Sequence, residues 1–356
     1  MGNACEVVDV NIDTKSAKEI IESLRGPYRK SIWTKFMNAV NEFKLVEDGD
    51  KIAIGISGGK DSLLLAKLFQ ELKKDKSRNF ELKFISMNPG FEAMDVEQLR
   101  KNFEILEIPG EIFDSNVWEI AFKEDPDYPC FLCAKMRRGW LYNKVEELGC
   151  NKMALGHHFD DMVETVLINM FYAGTVKTML PKVPSTSGKM ELIRPLIYIK
   201  EKDIISYTKS NGIRAMACGC PIEAGKTPSK RKEIKNLLAN LDNIDPNIKQ
   251  RIFNSMKNIN LDYVFGYEKE GQKISTFETN EFTQPLAITG WTYGETANTP
   301  TAEAKYGTPK YTYSTAADGK YNDIVPTDAG TYYVKATVEE TDKYTGLESD
   351  AVEFVI

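Results

Sequence analysis

Two cysteine pairs are the residues of this 356-residue chain whose spacing is best suited to metal chemistry. Cys130 and Cys133 form a C-x-x-C pair in PCFLCAKMRR, and Cys218 and Cys220 form a C-x-C pair in MACGCP. Four thiolates suit a closed tetrahedral zinc site, and they suit an iron–sulfur cluster equally well. The spacing therefore predicts a metal centre and leaves both metals open.

Basic residues follow the first cysteine pair and recur later in the chain. Lys135 comes two residues after Cys133, and positive charge beside a thiol lowers its pKa. A second cluster lies in KTPSKRKEIK, residues 226–235. Such clusters are candidate contacts for the phosphates of a polyanion, with a solvated helix surface as the alternative. The candidate RNA-binding residues are Arg137, Arg138, Lys230 and Arg231.

A glycine-rich turn stands between an apolar strand pattern, KIAIGI, and a helical pattern, DSLLLAKLF. Its sequence, SGGKDS, runs from Ser57 to Ser62 and is not a Walker A loop, which has different spacing. Paired glycines allow successive amides to face an anion, and the helix N-terminus adds partial positive charge. Asp61 among phosphate ligands makes sense if Mg²⁺ bridges them. The turn predicts a nucleotide phosphate site, with an ordinary capped turn as the alternative.

A second polar group follows the strand pattern MAL in MALGHHFDDMVETVL. His157 and His158, the only histidines, are followed by Asp160 and Asp161 at the start of a helical pattern. Open α/β sheets bind ligands at the carboxyl ends of their strands, so these residues are predicted to face the glycine turn. Helix capping by an aspartate and a plain loop position for the histidines are the alternatives.

Short apolar runs alternate with helical patterns over residues 49–270, which predicts a parallel sheet with crossover helices. Residues 1–48 form a helical segment, because Ile32, Phe36, Val40 and Phe43 repeat at helical spacing. The runs are apolar throughout, as expected of strands covered on both faces.

Composition changes near residue 270. Residues 271–356 hold 8 of the 16 tyrosines and none of the cysteines, and they contain short segments of alternating polarity such as DAGTYYVKATV. They also hold 13 of the 52 acidic residues but only 6 of the 46 basic ones, so the acidity of the chain is concentrated there. We expect a small all-β, immunoglobulin-like sandwich, which resembles bacterial repeat modules and is interpreted as an appended fusion.

The compartment is predicted from the thiols and from apolar run length. The cysteines are spread unevenly, unlike a disulfide framework, and no run approaches the eighteen or so apolar residues that cross a membrane. We expect a cytoplasmic protein with no membrane partner.

Five motifs occur in the order SGGKDS, CFLCAKMRRG, ALGHHFDD, IRPLIYIKEKDI and CGC. Together they resemble the tRNA 2-thiocytidine synthetase family of PP-loop ATP pyrophosphatases over about residues 25–265. The resemblance implies an adenine nucleotide alpha hydrolase-like fold. It also implies an ATP-dependent sulfurtransferase that adenylates a cytidine carbonyl oxygen and then transfers sulfur from a [4Fe–4S] cluster, giving 2-thiocytidine.

The resemblance also implies roles for particular residues, cofactors and partners. Three of Cys130, Cys133, Cys218 and Cys220 would hold the cluster, and the choice between the last two stays open. ATP, Mg²⁺, tRNA, a sulfur donor such as a cysteine desulfurase or free sulfide, and a homodimer by analogy complete the expectation. The catalytic candidates are Lys60, Asp61, Lys135 and Asp161. The ATP-binding candidates are Ser57, Gly58, Gly59, Lys60, Asp61, Ser62, Asn88, Gly156 and His157.

Two alternatives remain open from the sequence. The first is a PP-loop ligase with a structural Cys₄ zinc site, and the second is an RNA-binding scaffold without catalysis. Visible absorbance separates iron–sulfur from zinc, and pyrophosphate release stimulated by tRNA separates an enzyme from a scaffold. The modified tRNA or base, the oligomeric state and the role of residues 271–356 are not fixed by the sequence.

Overall fold

The computed structural model describes residues 8, 10–90, 93–124, 129–216, 230–275, 278–341 and 343–356, without the side chains of residues 93–95, 129–131 and 275. The chain divides into two compact units, Met1–Asn258 and Ile259–Ile356. Cys218, Cys220 and Lys226 lie outside the described residues, and so does the side chain of Cys130.

The first unit is built on a six-stranded sheet in the order β3-β2-β1-β4-β6-β5. All neighbouring strands are parallel except β5, which runs antiparallel to β6. This confirms the mostly parallel sheet. The strands are β1 Lys51–Gly55, β2 Glu81–Asn88, β3 Gly110–Asp114, β4 Lys152–Ala154, β5 Lys182–Pro184 and β6 Glu191–Ile193.

Helices connect and cover these strands. Ser16 caps α1 in a capping box with Glu19, and a π-helix spans Arg29–Trp33. The α-helices are α1 Ala17–Arg25, α2 Thr34–Glu42, α3 Lys60–Leu72, α4 Ala93–Ile105, α5 Val117–Glu124, α6 Pro129–Glu147, α7 Phe159–Ala173, α8 Glu201–Ser210, α9 Lys230–Ile244 and α10 Ile248–Ser255. None of the helices in the described part of the chain is both long enough and apolar enough to span a membrane.

Hydrophobic clusters on both faces of the sheet explain why its strands are continuously apolar. Ile52 and Ile54 of β1 pack in a cluster with Phe36 of α2 and Phe69 of α3, while Ala53 belongs to the opposite cluster. Burial of an aliphatic side chain on either face contributes about 1.5–3 kcal/mol. The helical segment before residue 48 therefore packs on the sheet as part of the first unit.

Strand register decides which residues meet at the carboxyl edge of the sheet. Ile54 of β1 pairs with Phe84 of β2 on one side and with Ala154 of β4 on the other. Ala154 also pairs with Ile193 of β6. The segments that follow these strands consequently emerge side by side along one edge.

The second unit consists of antiparallel strands around a small core of Leu286, Tyr313, Val334, Ala336 and Phe354. Alternate residues of β12 are buried, as the period-two pattern predicts. The strands are β7 Gly266–Lys269, β8 Gln272–Ser275, β9 Phe282–Ala287, β10 Thr301–Ala304, β11 Lys310–Ser314, β12 Thr331–Val338, β13 Leu347–Glu348 and β14 Val352–Val355, and a 3₁₀ turn spans Leu261–Tyr263. The immunoglobulin-like assignment stays a prediction.

The division between the units lies earlier than the change of composition. β7 and β8 pair as a hairpin across residue 270, so a boundary there would cut a hydrogen-bonded ladder. The compact units divide between Asn258 and Ile259 instead.

Candidate functional site

The glycine turn joins β1 to α3 and leaves the first amides of the helix without a side-chain cap among the described residues. Gly58 has a φ of +84°, which favours glycine, and a Cβ there would lie 2.3 Å from the Sδ atom of Met216. The Ser62 hydroxyl donates to the Gly59 carbonyl at 2.9 Å and accepts from the Ser57 amide at 3.2 Å. A turn held in this way, followed by uncapped helical amides, is suited to an anion.

Lys60, the first residue of α3, is buried between two carboxylates. Its Nζ atom lies 3.3 Å from Asp61 Oδ2 and 3.1 Å from Glu201 Oε1 of α8. Burial opposes its charge, but the two carboxylates outweigh burial and raise the pKa of Lys60 above its ordinary value. Burial likewise opposes the charge of Glu201, yet Lys60, His158 and Lys235 lower the pKa of Glu201 to about 2. The site therefore holds a permanently charged lysine at the start of the helix.

His158 lies between two aspartates that come from different strand ends. Its Nε2 atom is 3.8 Å from Asp61 Oδ1 and 3.6 Å from Asp161 Oδ2, and its backbone amide donates to Asp161 Oδ2 at 2.9 Å. Burial opposes protonation of His158, but Asp161 and Asp61 outweigh burial and raise its pKa. Burial raises the pKa of Asp61, whereas for Asp161 nearby positive charge, chiefly that of His158, outweighs burial and lowers the pKa.

The Oδ1 atom of Asp61 is buried and has no hydrogen-bond partner among the described residues. Within this part of the chain, no three His, Cys, Asp or Glu side chains form a ready-made metal site. Mg²⁺ is commonly bound by one or two carboxylates together with waters and substrate phosphates. An unsatisfied carboxylate oxygen beside a phosphate-binding turn fits such an ion.

Further ion pairs surround this group. Arg231 of α9 places Nε 2.9 Å from Glu164 Oε2 and Nη2 3.6 Å from Asp161 Oδ1. Lys249 of α10 contacts Asp160 at 3.1 Å. Burial raises the pKa of Glu164 to about 7, despite Arg231. The guanidinium of Arg231 thus faces the carboxylates, although the sequence predicts an RNA contact.

Gly156 and His157 approach the phosphate turn from the end of β4. A Cβ on Gly156 would lie 3.3 Å from the carbonyl carbon of Asp61 and from the amide nitrogen of Ser62. Burial lowers the pKa of His157 to about 4, so its imidazole is neutral at pH 7. The His157 Nδ1 atom is buried and has no hydrogen-bond partner in the described part of the molecule.

Asn88 stands at the end of β2, the other neighbour of β1. Its side-chain amide donates to Asp114 Oδ1 at 2.9 Å, and its Oδ1 atom accepts from the Gly90 amide at 3.1 Å. The residue before it, Met87, shares an apolar cluster with Cys133 of α6, whose exposed fraction is 8%. Cys133 therefore lies by the same end of the sheet as the glycine turn.

The segment before the second cysteine pair also reaches the turn. The amide of Met216, two residues before Cys218, donates to the Gly58 carbonyl at 2.9 Å. The described ends of both cysteine segments are thus associated with this edge.

The other predicted residues lie on two helices. Lys135 and Arg138 are exposed on α6, and Arg137 is half-buried there. Lys230 of α9 is exposed, with Nζ 4.5 Å from the centre of the Tyr172 ring. The structure brings together Lys60, Asp61, Gly156, His157 and Asp161, and it places these basic residues outside that buried group.

Three charged residues of the site have no role in the sequence-based prediction. They are Glu164, Glu201 and Lys249. A signal exists for two of them. Glu164 follows Asp161 by three residues and so shares its helix face, and Glu201 lies within IRPLIYIKEKDI, one of the motifs that carry the family resemblance. Nothing in the local sequence marks Lys249.

Comparison with protein families matches residues 29–217 to a family described as a PP-loop domain. Curated relatives include a tRNA-cytidine(32) 2-sulfurtransferase of Syntrophotalea carbinolica, 34% identical over 223 residues that cover 62% of this chain and 86% of the relative. The protein of that name from Geobacter sulfurreducens is 33% identical over 252 residues, or 70% of this chain and 96% of the relative.

Among solved structures, the chain is similar to the U34-tRNA thiolase NcsA from Methanococcus maripaludis with its [4Fe–4S] cluster. The TM-score is 0.51 and the sequence identity 24%, over 66% of this chain and 80% of that chain. At this identity the similarity concerns the fold.

Proposed function

The chain belongs to the PP-loop family and to the tRNA-cytidine(32) 2-sulfurtransferases within it, and we propose that it is an ATP-dependent enzyme that converts a cytidine of tRNA to 2-thiocytidine. One observation supports this most directly. A single edge of the sheet holds the anion-binding turn, the charged Lys60 and the buried Asp61–His158–Asp161 group. These are the groups that cleavage of a magnesium nucleotide requires.

The first step is adenylation of the base. The C2 carbonyl oxygen of cytidine attacks the α-phosphorus of ATP, and the bond to pyrophosphate breaks. Lys60 and the first amides of α3 would stabilise the charge on the departing pyrophosphate. The remaining proposed nucleotide contacts are Ser57, Gly58, Gly59, Asp61, Ser62, Asn88, Gly156 and His157.

Asp61 and Asp161 are the residues that would hold Mg²⁺. The unsatisfied Oδ1 atom of Asp61 supports this assignment. When bound, the ion would neutralise part of the charge on the nucleotide phosphates. His158 orients both aspartates from between them, and Lys135 is the proposed catalytic residue of α6.

Displacement of AMP by a sulfur nucleophile completes the reaction. A C–S bond forms at C2 as the C–O bond to AMP breaks, and the thiol proton passes to solvent. Cys130, Cys133 and one of Cys218 and Cys220 would hold a [4Fe–4S] cluster, which when bound supplies an iron with an open position for sulfide. The positions of Cys133 and Met216 beside this edge support the assignment.

The partners are proposed on the same basis. The sulfur donor would be a cysteine desulfurase or free sulfide, and the tRNA phosphates would contact Arg137, Arg138 and Lys230. Arg231 would do so only after leaving Glu164. A cytoplasmic location, an immunoglobulin-like fold for the second unit and a homodimer are parts of the proposal that rest on sequence alone.

The decisive experiment is anaerobic incubation of the purified chain with ATP, sulfide and bulk tRNA, followed by mass analysis of the nucleosides. We expect 2-thiocytidine and a brown protein with visible absorbance. A colourless zinc protein that forms no thiolated nucleoside would exclude the sulfurtransferase and favour a ligase.

Replacement of Asp61 by asparagine tests the nucleotide half of the site. We expect Asp61→Asn to lose tRNA-stimulated pyrophosphate release by about 100- to 1,000-fold while the visible absorbance is retained. Release at the wild-type rate would contradict the role of Asp61.

A further inference from the structure

The carboxyl edge of the sheet offers its sites in a fixed order. Asn88 ends β2, the glycine turn follows β1, His157 follows β4, and Arg194 follows β6. Neighbouring strands lie about 4.8 Å apart, so these positions are spaced along one line. With ATP held between Asn88 at the end of β2 and the glycine turn after β1, as in the proposed function, the open side for the reacting RNA nucleotide is the one towards β6.

Arg194 occupies that entry with an unusual side-chain environment. Only 8% of the residue is exposed, and one Nη1 donor is bonded to the Leu180 carbonyl at 2.6 Å. Its Nε atom is buried and has no hydrogen-bond partner among the described residues. No carboxylate among these residues forms an ion pair with Arg194 either. A buried donor left unsatisfied costs about 1–3 kcal/mol, so a ligand that accepts from it would recover that loss.

Among the described residues, the titratable groups that influence the charge of Arg194 are Arg138 and Tyr142. Tyr142 of α6 packs against the hydrophobic cluster that contains Leu192 of β6, two residues before Arg194, and Arg138 lies about one helical turn before Tyr142. Burial lowers the pKa of Arg194, and the positive charge of Arg138 lowers it further. Burial lowers the pKa of His157 despite the charge of Asp161, and Arg194 lowers it further. The buried Nδ1 atom of His157 also has no hydrogen-bond partner in the described part of the chain. Two guanidinium groups attract an anion, and each can bind phosphate in a forked geometry.

We infer that Arg194 and Arg138 form a binding site for an RNA phosphate group flanking the target cytidine. This inference rests on the proposed function. An ATP phosphate has the same chemistry, but the glycine turn and Lys60 already serve it, one strand away. The site would hold the nucleotide in register, with its base directed towards the α-phosphate.

The test measures binding of bulk tRNA and, separately, of ATP to the full chain without turnover, at several salt concentrations. Arg194→Met should weaken tRNA binding about 10- to 100-fold, the range expected for loss of a hydrogen bond to a charged group. The slope of log affinity against log salt should fall by roughly 0.7–0.9, because one phosphate contact is lost. ATP affinity should not change. Lys189→Met, which removes an exposed cation of the same unit, should leave both affinities unchanged.

Arg194→Met that binds tRNA with wild-type affinity and slope would overturn the inference, and so would a loss confined to ATP. Because Arg194 also holds the Leu180 carbonyl, its variant could lose stability. Arg138→Gln, at an exposed position, is then the deciding variant. If its slope of log tRNA affinity against log salt equals that of the wild type, the inference is also overturned. Wild-type protein that binds no tRNA at all would instead refute the proposed function.

Discussion

The two ends of the parallel sheet both bury charged side chains, but they satisfy them differently. At the amino end, Lys152 of β4 lies 2.7 Å from Asp50 Oδ2 and 3.0 Å from Glu47 Oε2, and Asn151 donates to the other oxygen of Asp50. At the carboxyl end, buried atoms of Asp61 and Arg194 have no hydrogen-bond partner within the described residues.

This difference in hydrogen-bond partners distinguishes buried charges that stabilise the fold from buried charges that are available to a ligand, at opposite ends of the same strands. A buried charge with all its partners present stabilises a fixed arrangement, whereas one with an unused donor or acceptor is ready for a ligand. Lys152 and His157 are only five residues apart in sequence, at opposite ends of β4. Burial alone therefore does not distinguish the two ends of the sheet, whereas the hydrogen-bond partners of the buried charges do.

The largest expected effect is loss of the buried cation at the amino end. Lys152→Met leaves Asp50 buried without its charged partner and should lower the free energy of unfolding by about 3–5 kcal/mol. Lys182→Met is the matched control, since Lys182 contacts Glu47 and Glu191 from a more exposed position and should cost about 1 kcal/mol or less. Urea denaturation measures both. Equal losses for the two variants would remove the distinction between a structural buried charge and a surface pair.

Loss of the buried cation at the carboxyl end should instead lower the reaction rate. Lys60→Met should slow tRNA-stimulated pyrophosphate release by about 100- to 1,000-fold, which is about 2.7–4 kcal/mol of lost transition-state stabilisation. Lys74→Met is the control, because Lys74 lies just beyond the other end of α3 and pairs with Glu71. If Lys60→Met retained the wild-type rate in folded protein, the carboxyl end would be no more functional than the amino end.

Much of the carboxyl end follows from sequence because its key residues are local. The turn at Gly58 and the strand-to-helix position of Asp161 each depend on fewer than ten or so neighbouring residues, and periodicity predicts the strands that precede them. The parallel sheet is confirmed, and Asp61 and Asp161 both lie beside His158, as expected of residues at one edge of the sheet.

The residues that sequence reasoning misses depend on distant contacts. Glu201 reaches Lys60 only because β6 pairs with β4, and β4 and β6 are three-residue strands with little pattern of their own. Arg231 lies in a basic cluster whose sequence pattern predicts an exposed helix face, yet tertiary packing places its guanidinium beside Glu164. No local propensity encodes such pairings.

The smallest expected effect is on the pH dependence of the free energy of unfolding. Burial raises the pKa of Glu164 from an ordinary value of 4.5 to about 7, so between these values the folded chain binds more protons than the unfolded chain. Stability contributed by this group is thus fully present below pH 4.5 and is lost as the pH rises through 7, with a slope of at most ~1.4 kcal/mol per pH unit. Glu164→Gln should flatten that part of the stability profile, as measured by urea denaturation at several pH values. Lys182→Met, which removes the cation beside Glu47 and Glu191, should shift the profile without changing its slope in this pH range. A Glu164→Gln profile as steep as that of the wild type would show that Glu164 is ionised in the folded chain, and that Arg231 satisfies it as completely as Asp50 satisfies Lys152.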